Sequence, residues 1–303
     1  ATGETLREFP QTVNAMEMLL SDGMLFAVVG NRTPFPIENT GDMSLELKGT
    51  GKTSGSPERH WRVWRERAPE KHLVAVDART GSLLWKKDNG DTRQIMPTAT
   101  AVSNGQLFFQ NERAIISLDA ATGDEKWRAK REVNLDAPGS SAPTLVASAG
   151  VVICADRELD KTPKDRPRPT TKQDDSTASW HLFPHTAHSR GGEAIAYDAV
   201  TGERLWSVTS VENFRAPADV FVANDLAFVR SNRPGLGAGL DLRSGEIKHQ
   251  PQKKSPIRDP GTHWRCYRNK ATEKYLVLCQ WYTEFYDLDT GTLDRSNFVR
   301  GSC

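Results

Sequence analysis

Three of the seven histidines in this 303-residue chain lie within eight residues, at His181, His185 and His188, and Arg190 follows them. Imidazole side chains bind zinc, copper or iron, and they act as general acids and bases near neutral pH. His185 and His188 are near enough in sequence to share one side of a turn. We therefore take all four residues as catalytic candidates, with Arg190 holding an anion, and His185 and His188 as metal-ligand candidates.

A simpler interpretation of the same residues is a polar surface loop. Pro184 breaks the local geometry, and the histidine spacing matches none of the stronger metal-binding motifs. If these side chains do chemistry, we expect acid–base catalysis or substrate contact rather than a closed structural metal site.

A second chemically distinctive stretch interleaves arginine with tryptophan in ERHWRVWRER, residues 58–67. Indole rings stack on bases or sugars, and guanidinium groups hold carboxylates, so this pattern could bind a carboxylate-rich glycan. The alternative is a short surface helix in which Trp61 and Trp64 pack on the protein and Arg59 and Arg62 stay solvated. Both stretches lie in insertions, at about 32–70 and 157–192, that interrupt a repeated unit.

The repeated unit centres on an aspartate followed four residues later by a glycine. Its copies read VAVDARTGSLLW, ISLDAATGDEKW, IAYDAVTGERLW, AGLDLRSGEIKH and EFYDLDTGTLDR, with aspartates at Asp77, Asp119, Asp198, Asp241 and Asp287. The aspartates are 42, 79, 43 and 46 residues apart, so the second interval holds one repeat plus one insertion. Repeats of this length are typical of propellers and other arrays.

Each copy predicts a strand, a tight turn and a second strand. Alternating apolar residues form the strands, the aspartate caps turn amides, and the glycine takes a positive φ. Three copies then carry a tryptophan at one offset, Trp85, Trp127 or Trp206, which suits packing against the next blade. His249 and Arg295 stand there in the last two copies, so we expect a different contact at those blades.

The motif A-x-D-x-x-T-G-x-x-x-W resembles the repeat of the pyrroloquinoline quinone (PQQ)-like β-propellers, a family that includes quinoprotein alcohol dehydrogenases and an outer-membrane assembly lipoprotein without the cofactor. The resemblance implies an all-β fold, a propeller of four-stranded antiparallel blades, over a single domain at 1–303. We place five blades at about 12–88, 95–130, 140–209, 215–250 and 262–296. Residues 298–303 would then start a sixth blade.

The number of blades leaves three arrangements open. PQQ-like propellers lie at the upper end of the four-to-eight range by resemblance, so the chain could be part of a ring of seven or eight blades. It could instead form a compact ring of five or six blades, or an array that another chain completes.

The cysteines divide into two pairs. Cys154 and Cys279 lie in apolar strands and are expected to be small buried residues. Cys266 and Cys303 are 37 residues apart, close to one repeat, and both are placed near the start of a blade. Cys266 and Cys303 are therefore candidates for a disulfide; pairing with cysteines beyond this chain and a metal site using His263 and Cys266 are the alternatives.

The composition limits the classes of partner that this chain is expected to bind. Lys and Arg together number 40 against 39 Asp and Glu, so no basic excess points to nucleic acid, and no apolar run is long enough for a transmembrane helix. The resemblance implies a periplasmic or otherwise exported protein, although no signal peptide is present in this sequence.

Two functional classes remain open. The favoured class is an exported binding or scaffold propeller for a protein or carbohydrate partner. The alternative is an enzyme, either a quinone-dependent dehydrogenase or a polysaccharide-acting enzyme, using the histidine insertion. The resemblance allows PQQ as a cofactor, but the adjacent cysteines that hold it in quinoproteins are missing from this chain, as is a C-x-x-C-H haem site.

Overall fold

Five four-stranded antiparallel sheets account for almost all regular structure in the part of the chain that the structure describes. The computed structural model describes residues 3–5, 7–30, 70–131, 144–157, 191–211, 220–229, 238–249, 270–279 and 282–300. Each sheet takes its strands in chain order, as propeller blades do, so the predicted all-β propeller fold is confirmed.

The blades are numbered 1 to 5 along the chain. Blade 1 contains β1 (Ala15–Ser21), β2 (Met24–Gly30), β3 (Lys71–Asp77) and β4 (Leu83–Lys87); blade 2 contains β5 (Thr100–Ser103), β6 (Gln106–Gln110), β7 (Ala114–Asp119) and β8 (Glu125–Lys130). Blade 3 contains β9 (Leu145–Ser148), β10 (Val151–Arg157), β11 (Gly191–Asp198) and β12 (Arg204–Val211). Blade 4 contains β13 (Val220–Ala223), β14 (Leu226–Val229), β15 (Gly239–Asp241) and β16 (Ile247–His249); blade 5 contains β17 (Lys270–Ala271), β18 (Tyr275–Cys279), β19 (Tyr282–Asp287) and β20 (Leu293–Arg300). Two short helices precede β1 and β5: a 3-10 turn at Pro10–Thr12 and α1 at Gly90–Arg93.

The chain divides into two compact units. Unit 1 comprises Ala1–Arg131 and Leu135–Pro138 and holds blades 1 and 2, whereas unit 2 comprises Glu132–Asn134 and Gly139–Cys303 and holds blades 3 to 5. In unit 1 one apolar core joins Phe26 and Ala75 of blade 1 to Leu107 and Ile116 of blade 2. Unit 2 has one core between blades 3 and 4 and another between blades 4 and 5.

The repeated aspartates form the turns that the sequence predicts. Asp119 Oδ1 accepts hydrogen bonds from the amides of Ala121 (3.0 Å) and Thr122 (3.1 Å), and Gly123 N–H donates to the Asp119 carbonyl (2.9 Å). Gly123 has a φ of +77°, which glycine adopts at little cost. The amide bonds, with that from Thr122 foremost, lower the pKa of the Asp119 carboxyl below its usual value. The other four turn aspartates also have lowered pKa values: Asp77, Asp198, Asp241 and Asp287.

A bulge after the turn aims the tryptophan. In blades 1 to 4 the strand pairing skips one residue, so the residue eight positions after the aspartate lies opposite the residue two positions before it. Trp85, for example, pairs with Ala75. In all four blades the residue opposite is small: Ala75, Ser117, Ala196 and Gly239. A small residue there leaves room for the ring to lie across the strand.

Tryptophan docks on the turn of the following blade within each unit. Trp85 Nε1 donates to the Ala120 carbonyl (2.9 Å) in unit 1, and Trp206 Nε1 donates to the Leu242 carbonyl (2.8 Å) in unit 2. Each ring covers the turn glycine so closely that a Cβ on Gly123 or Gly245 would lie 2.8 or 2.7 Å from it. The predicted docking role is therefore confirmed for these two rings. Trp127 is also buried, with its ring centroid 5.9 Å from that of Phe108 in its own blade.

Blades 4 and 5 replace the tryptophan in different ways. His249 of blade 4 keeps the bulge and packs edge-on against Phe228, with 6.3 Å between ring centroids. Blade 5 has no bulge at this point, so Arg295 pairs directly with Glu284, and Arg295 Nε donates to Glu284 Oε1 at 2.7 Å. A shift of one residue turns a side chain to the opposite face of the sheet. Both contacts lie within one blade, so the expected change in the contact between blades stays a prediction.

The end of the described chain differs from the prediction. Phe298, Val299 and Arg300 lie in β20, where Arg300 pairs with Tyr282 after an irregularity in the register. These three residues therefore belong to blade 5, and the prediction that they open a sixth blade is wrong. The cause is the length of β20, which continues past the point at which the fourth strands of blades 1, 2 and 4 end. Cys154 is buried in β10, as expected for a small apolar residue.

Candidate binding surface at one end of unit 1

The residues predicted to do chemistry lie outside the described ranges. This holds for His181, His185, His188 and Arg190, for the disulfide candidates Cys266 and Cys303, and for the Arg–Trp stretch at 58–67. The strand order nevertheless fixes where both insertions leave the sheets. The first joins β2 to β3 in blade 1, and the second joins β10 to β11 in blade 3.

The described residues around the exit of the first insertion form a polar cluster, which we call the polar end of unit 1. It consists of Lys71, Asp91, Asn111, Glu125, Arg128 and Arg131. The strand ends explain most of the clustering, because β2, β4, β6 and β8 all finish on this side of their blades and β3 and β7 start there. Glu125, the first residue of β8, joins the cluster through Arg128.

Helix α1 positions Asp91 in this cluster. Asn89 caps the helix, since its Oδ1 accepts from the amides of Asp91 and Thr92, both at 3.0 Å. Thr92 Oγ1 in turn accepts from the Asn89 amide at 2.9 Å, which completes a capping box. Such reciprocal capping stabilises even a helix of one turn, and it holds the Asp91 carboxylate against blade 2.

Arg128 joins two carboxylates. Its Nη2 lies 2.9 Å from Asp91 Oδ2 and 2.7 Å from Glu125 Oε2, and its Nε donates to Glu125 Oε1 at 2.7 Å. The hydrogen bonds that Arg128 donates to Glu125, followed by those that it donates to Asp91, raise the pKa of Arg128. The same contact with Arg128 lowers the pKa of Glu125. Because Arg128 is half-exposed, the network orients these groups more than it stabilises the fold.

Asn111 and Arg131 fix the turn between β6 and β7. Asn111 Oδ1 accepts from the amides of Arg113 and Ala114, both at 2.8 Å, while its Nδ2 donates to Asp91 Oδ1 at 3.3 Å. Arg131 Nη1 donates to the Asn111 carbonyl. With its amide oriented to satisfy both partners, Gln110 accepts from Arg131 Nε at 2.7 Å and Nη2 at 3.0 Å. This end of blade 2 is therefore rigidly hydrogen-bonded.

Lys71 places a buried ammonium group where the first insertion rejoins blade 1. It pairs with Gly30 across the strands and is almost fully buried. Burial lowers the pKa of Lys71, and the charge of Glu112 in blade 2 partly opposes that shift. Burial also lowers the pKa of the neighbouring His72, with Lys86 adding to the effect.

Chemically, the polar end is a rigid charged platform. Its carboxylates and guanidinium groups bind one another, and no group of three metal-ligating side chains occurs within the described ranges. The sequence analysis missed this cluster. The Asn-Gly-Asp-Thr capping box at 89–92 was a readable local signal, whereas the contact between Asp91 and Arg128 spans 37 residues and depends on how the two strands end.

Among the described residues, the structure contains no helix with the length and apolar character needed to cross a membrane.

Comparison with known proteins identifies a family whose sequence model matches this chain. A family model described as "Outer membrane protein assembly factor BamB" matches residues 54–165 and 176–268. No functionally curated protein matches the sequence.

Solved structures with similar folds are distant in sequence. BamB from Moraxella catarrhalis is 14% identical, with a TM-score of 0.38, covering 69% of this chain and 50% of that one. The quinohemoprotein alcohol dehydrogenase ADHIIG from Pseudomonas putida HK5 is 15% identical, with a TM-score of 0.48, covering 92% of this chain and 41% of that one. The quinohemoprotein alcohol dehydrogenase from Comamonas testosteroni is 16% identical, with a TM-score of 0.46, covering 92% and 42%. The chain thus spans half or less of the length of each.

Proposed function

Because this chain belongs to the family of the outer membrane protein assembly factor BamB, we propose that it is an exported binding or scaffold propeller that holds a protein or carbohydrate partner. The observation that carries the proposal is the family match, which extends over most of the chain. A family description that refers to outer-membrane assembly also supports a periplasmic or otherwise exported location. The predicted single domain, 1–303, stays part of this proposal.

The polar end of unit 1 supports the choice of contact surface. Its Arg128 and Asn111 networks hold α1 against blade 2, and α1 also contacts β3, the strand that follows the first insertion. Loops longer than about 15 residues are often functional. We propose that the Arg–Trp stretch within this insertion contacts the partner, with Trp61 and Trp64 providing stacking surfaces and Arg59 and Arg62 holding anionic groups.

Site-specific photo-crosslinking in the native host tests this proposal. A photoreactive residue replaces Trp61 or Trp64, and the matched control carries it at Val200, an exposed turn residue of blade 3. We expect one discrete adduct from positions 61 and 64 and none from position 200. For a glycan partner, the Trp61→Ala/Trp64→Ala variant should lose binding to an acidic polysaccharide that the unaltered protein retains. No adduct and no glycan binding would contradict the proposal.

The second candidate function is an enzyme that uses the histidine insertion, and the clustering of three of seven histidines favours it. In this hypothesis His181, His185 and His188 act as acid–base groups or His185 and His188 hold a metal, and Arg190 holds an anionic substrate. No step through PQQ is proposed, because the chain lacks adjacent cysteines. An absorption band above the aromatic envelope, or metal that is lost in His185→Ala/His188→Ala, would favour the enzyme over the binding protein.

A further inference from the structure

Each blade has two faces with different roles in packing. The forward face carries the tryptophan and packs on the following blade, as Phe26, Ala75 and Trp85 of blade 1 do. The backward face receives the preceding blade, as Leu107 and Ile116 of blade 2 do in the same core. The junction between blades 3 and 4 repeats this arrangement.

The backward face of blade 1 is open along its first strand. Leu20 pairs with Leu25 as Val102 pairs with Leu107 in blade 2, and Met18 takes the place that Thr100 has there. Thr100 is 5% exposed, and Val220, its counterpart in blade 4, is 3% exposed. Met18 and Leu20 are 55% and 68% exposed. They therefore stand uncovered where two other blades of this chain are covered by a neighbour.

The outer part of the same face is already filled. A Cβ on Gly81, the turn glycine of blade 1, would lie 3.9 Å from Phe9 Cδ1 and 3.6 Å from Arg7 Cδ. The 3-10 turn at Pro10–Thr12 continues this segment across β2 and β3. Phe9 thus occupies the place on its turn that Trp85 takes on Gly123 and Trp206 takes on Gly245. A sheet that packs on this face has no room for a docking tryptophan.

The forward face of blade 5 is a sheet of that kind. The missing bulge turns Arg295 toward Glu284, which lies on the same face as Tyr286, on the side of blade 4. The forward face instead presents Tyr275 and Phe285, both half-buried, which pack edge to face with 6.2 Å between ring centroids. Among the described blades, blade 5 alone lacks an aromatic or imidazole ring eight residues after its turn aspartate on the forward face.

We propose that the backward face of blade 1 docks the forward face of blade 5 from a second copy of this chain. Internal junctions indicate which side chains would meet. Val102, the counterpart of Leu20, packs in one core with Met24. Met24 is the residue of blade 1 that corresponds to Tyr275 of blade 5. Leu20 of one copy would therefore lie against Tyr275 of the other, beside the flexible thioether of Met18, which packs well on aromatic rings.

This contact joins two different surfaces, so it is head-to-tail rather than two-fold symmetric. It would bury the exposed apolar strand of blade 1 under the ring pair of blade 5. Trp docking would not be needed, because Phe9 already covers the Gly81 turn.

Sedimentation velocity of the full 303-residue chain tests the proposal. We expect concentration-dependent association, and we expect Leu20→Glu to weaken it by at least about 100-fold, because the change places a charge in an apolar contact. Leu20 is exposed, so this variant should keep the circular dichroism spectrum and melting temperature of the unaltered protein. Val200→Glu, which changes an equally exposed residue in blade 3, is the matched control and should associate normally.

Engineered cysteines show whether the sheet that covers blade 1 comes from a second copy or from the same chain. Copies with Leu20→Cys and one affinity tag are mixed with copies that carry Tyr275→Cys and another tag. We expect a disulfide that joins position 20 of a chain with one tag to position 275 of a chain with the other tag. A third variant carries both Leu20→Cys and Tyr275→Cys in one chain. The proposal would be overturned if this variant forms its disulfide only within the chain. It would also be overturned if the protein is a monomer at all concentrations, or if Leu20→Glu leaves association unchanged.

Discussion

Replacing Trp85 by alanine should destabilise unit 1 by about 4 kcal/mol. Truncating a buried Trp or Phe to Ala costs about 3–5 kcal/mol, because apolar contacts are lost and a cavity remains. The ring is buried between blades 1 and 2, lies against Gly123, and donates to the Ala120 carbonyl at 2.9 Å. Trp85→Phe keeps most of the ring but removes the donor, so we expect a loss of about 1–2 kcal/mol. Leu83→Ala, at an exposed site of the same strand, should cost well under about 1 kcal/mol.

A double-mutant cycle with Gly123→Ala makes the test specific to the contact. Alanine at 123 carries two costs: a φ of +77°, worth roughly 1–2 kcal/mol, and a Cβ 2.8 Å from Trp85 Cδ2. In the Trp85→Ala background the second cost disappears, so the two changes should be coupled by about 1 kcal/mol or more. Denaturant unfolding, with amide hydrogen exchange of β7 to report on unit 1, measures each variant. A loss below about 1 kcal/mol for Trp85→Ala, or purely additive changes, would refute the docking argument.

Two further predictions concern the turns and blade 5. The five turn aspartates have folded-state pKa values below the unfolded value of about 3.9, so their contribution to stability is present above that pH and is lost as the pH falls through the folded pKa. Asp119→Asn should therefore show a smaller fall in urea midpoint on acidification than the unaltered protein; an identical pH profile would contradict the role of the charge. Arg295→Ala should destabilise unit 2 by about 1–2 kcal/mol, because it leaves Glu284, 3% exposed, without a charge-assisted hydrogen bond, while the exposure of Arg295 limits the value of the pair. Glu284→Leu/Arg295→Met should restore most of the loss in thermal unfolding, and a double variant as unstable as the single one would contradict this explanation.

The repeat could be predicted from sequence because its signals are local. Aspartate, glycine and the alternating strands all lie within about a dozen residues, and Trp85 and Trp206 dock as their common offset predicts. The loss of the bulge in blade 5 also has a sequence signal, since Phe285 replaces the small residue that faces each docking ring. That signal becomes readable only when the pairing of blades 1 to 4 is known.

Other features depend on contacts between distant segments. Nothing in the sequence near Phe9 indicates that it covers Gly81, and nothing near Arg128 indicates Asp91 as its partner. Both contacts arise because strand ends and turns of one unit meet in space. The predicted site residues of the two insertions stay predictions, because their positions lie outside the described ranges.

The bulge that aims Trp85 and Trp206 has a consequence for how such a chain evolves. One stretch of about a dozen residues encodes the ring, the small residue opposite it and the turn glycine that receives the ring of the preceding repeat. A tandem duplication of one repeat therefore copies both partners of the joint at once, and the new unit fits its parent without further substitutions. A repeat without the bulge, such as the fifth, no longer supplies a ring for such a joint, so a copy of it would need a different contact with the blade that follows.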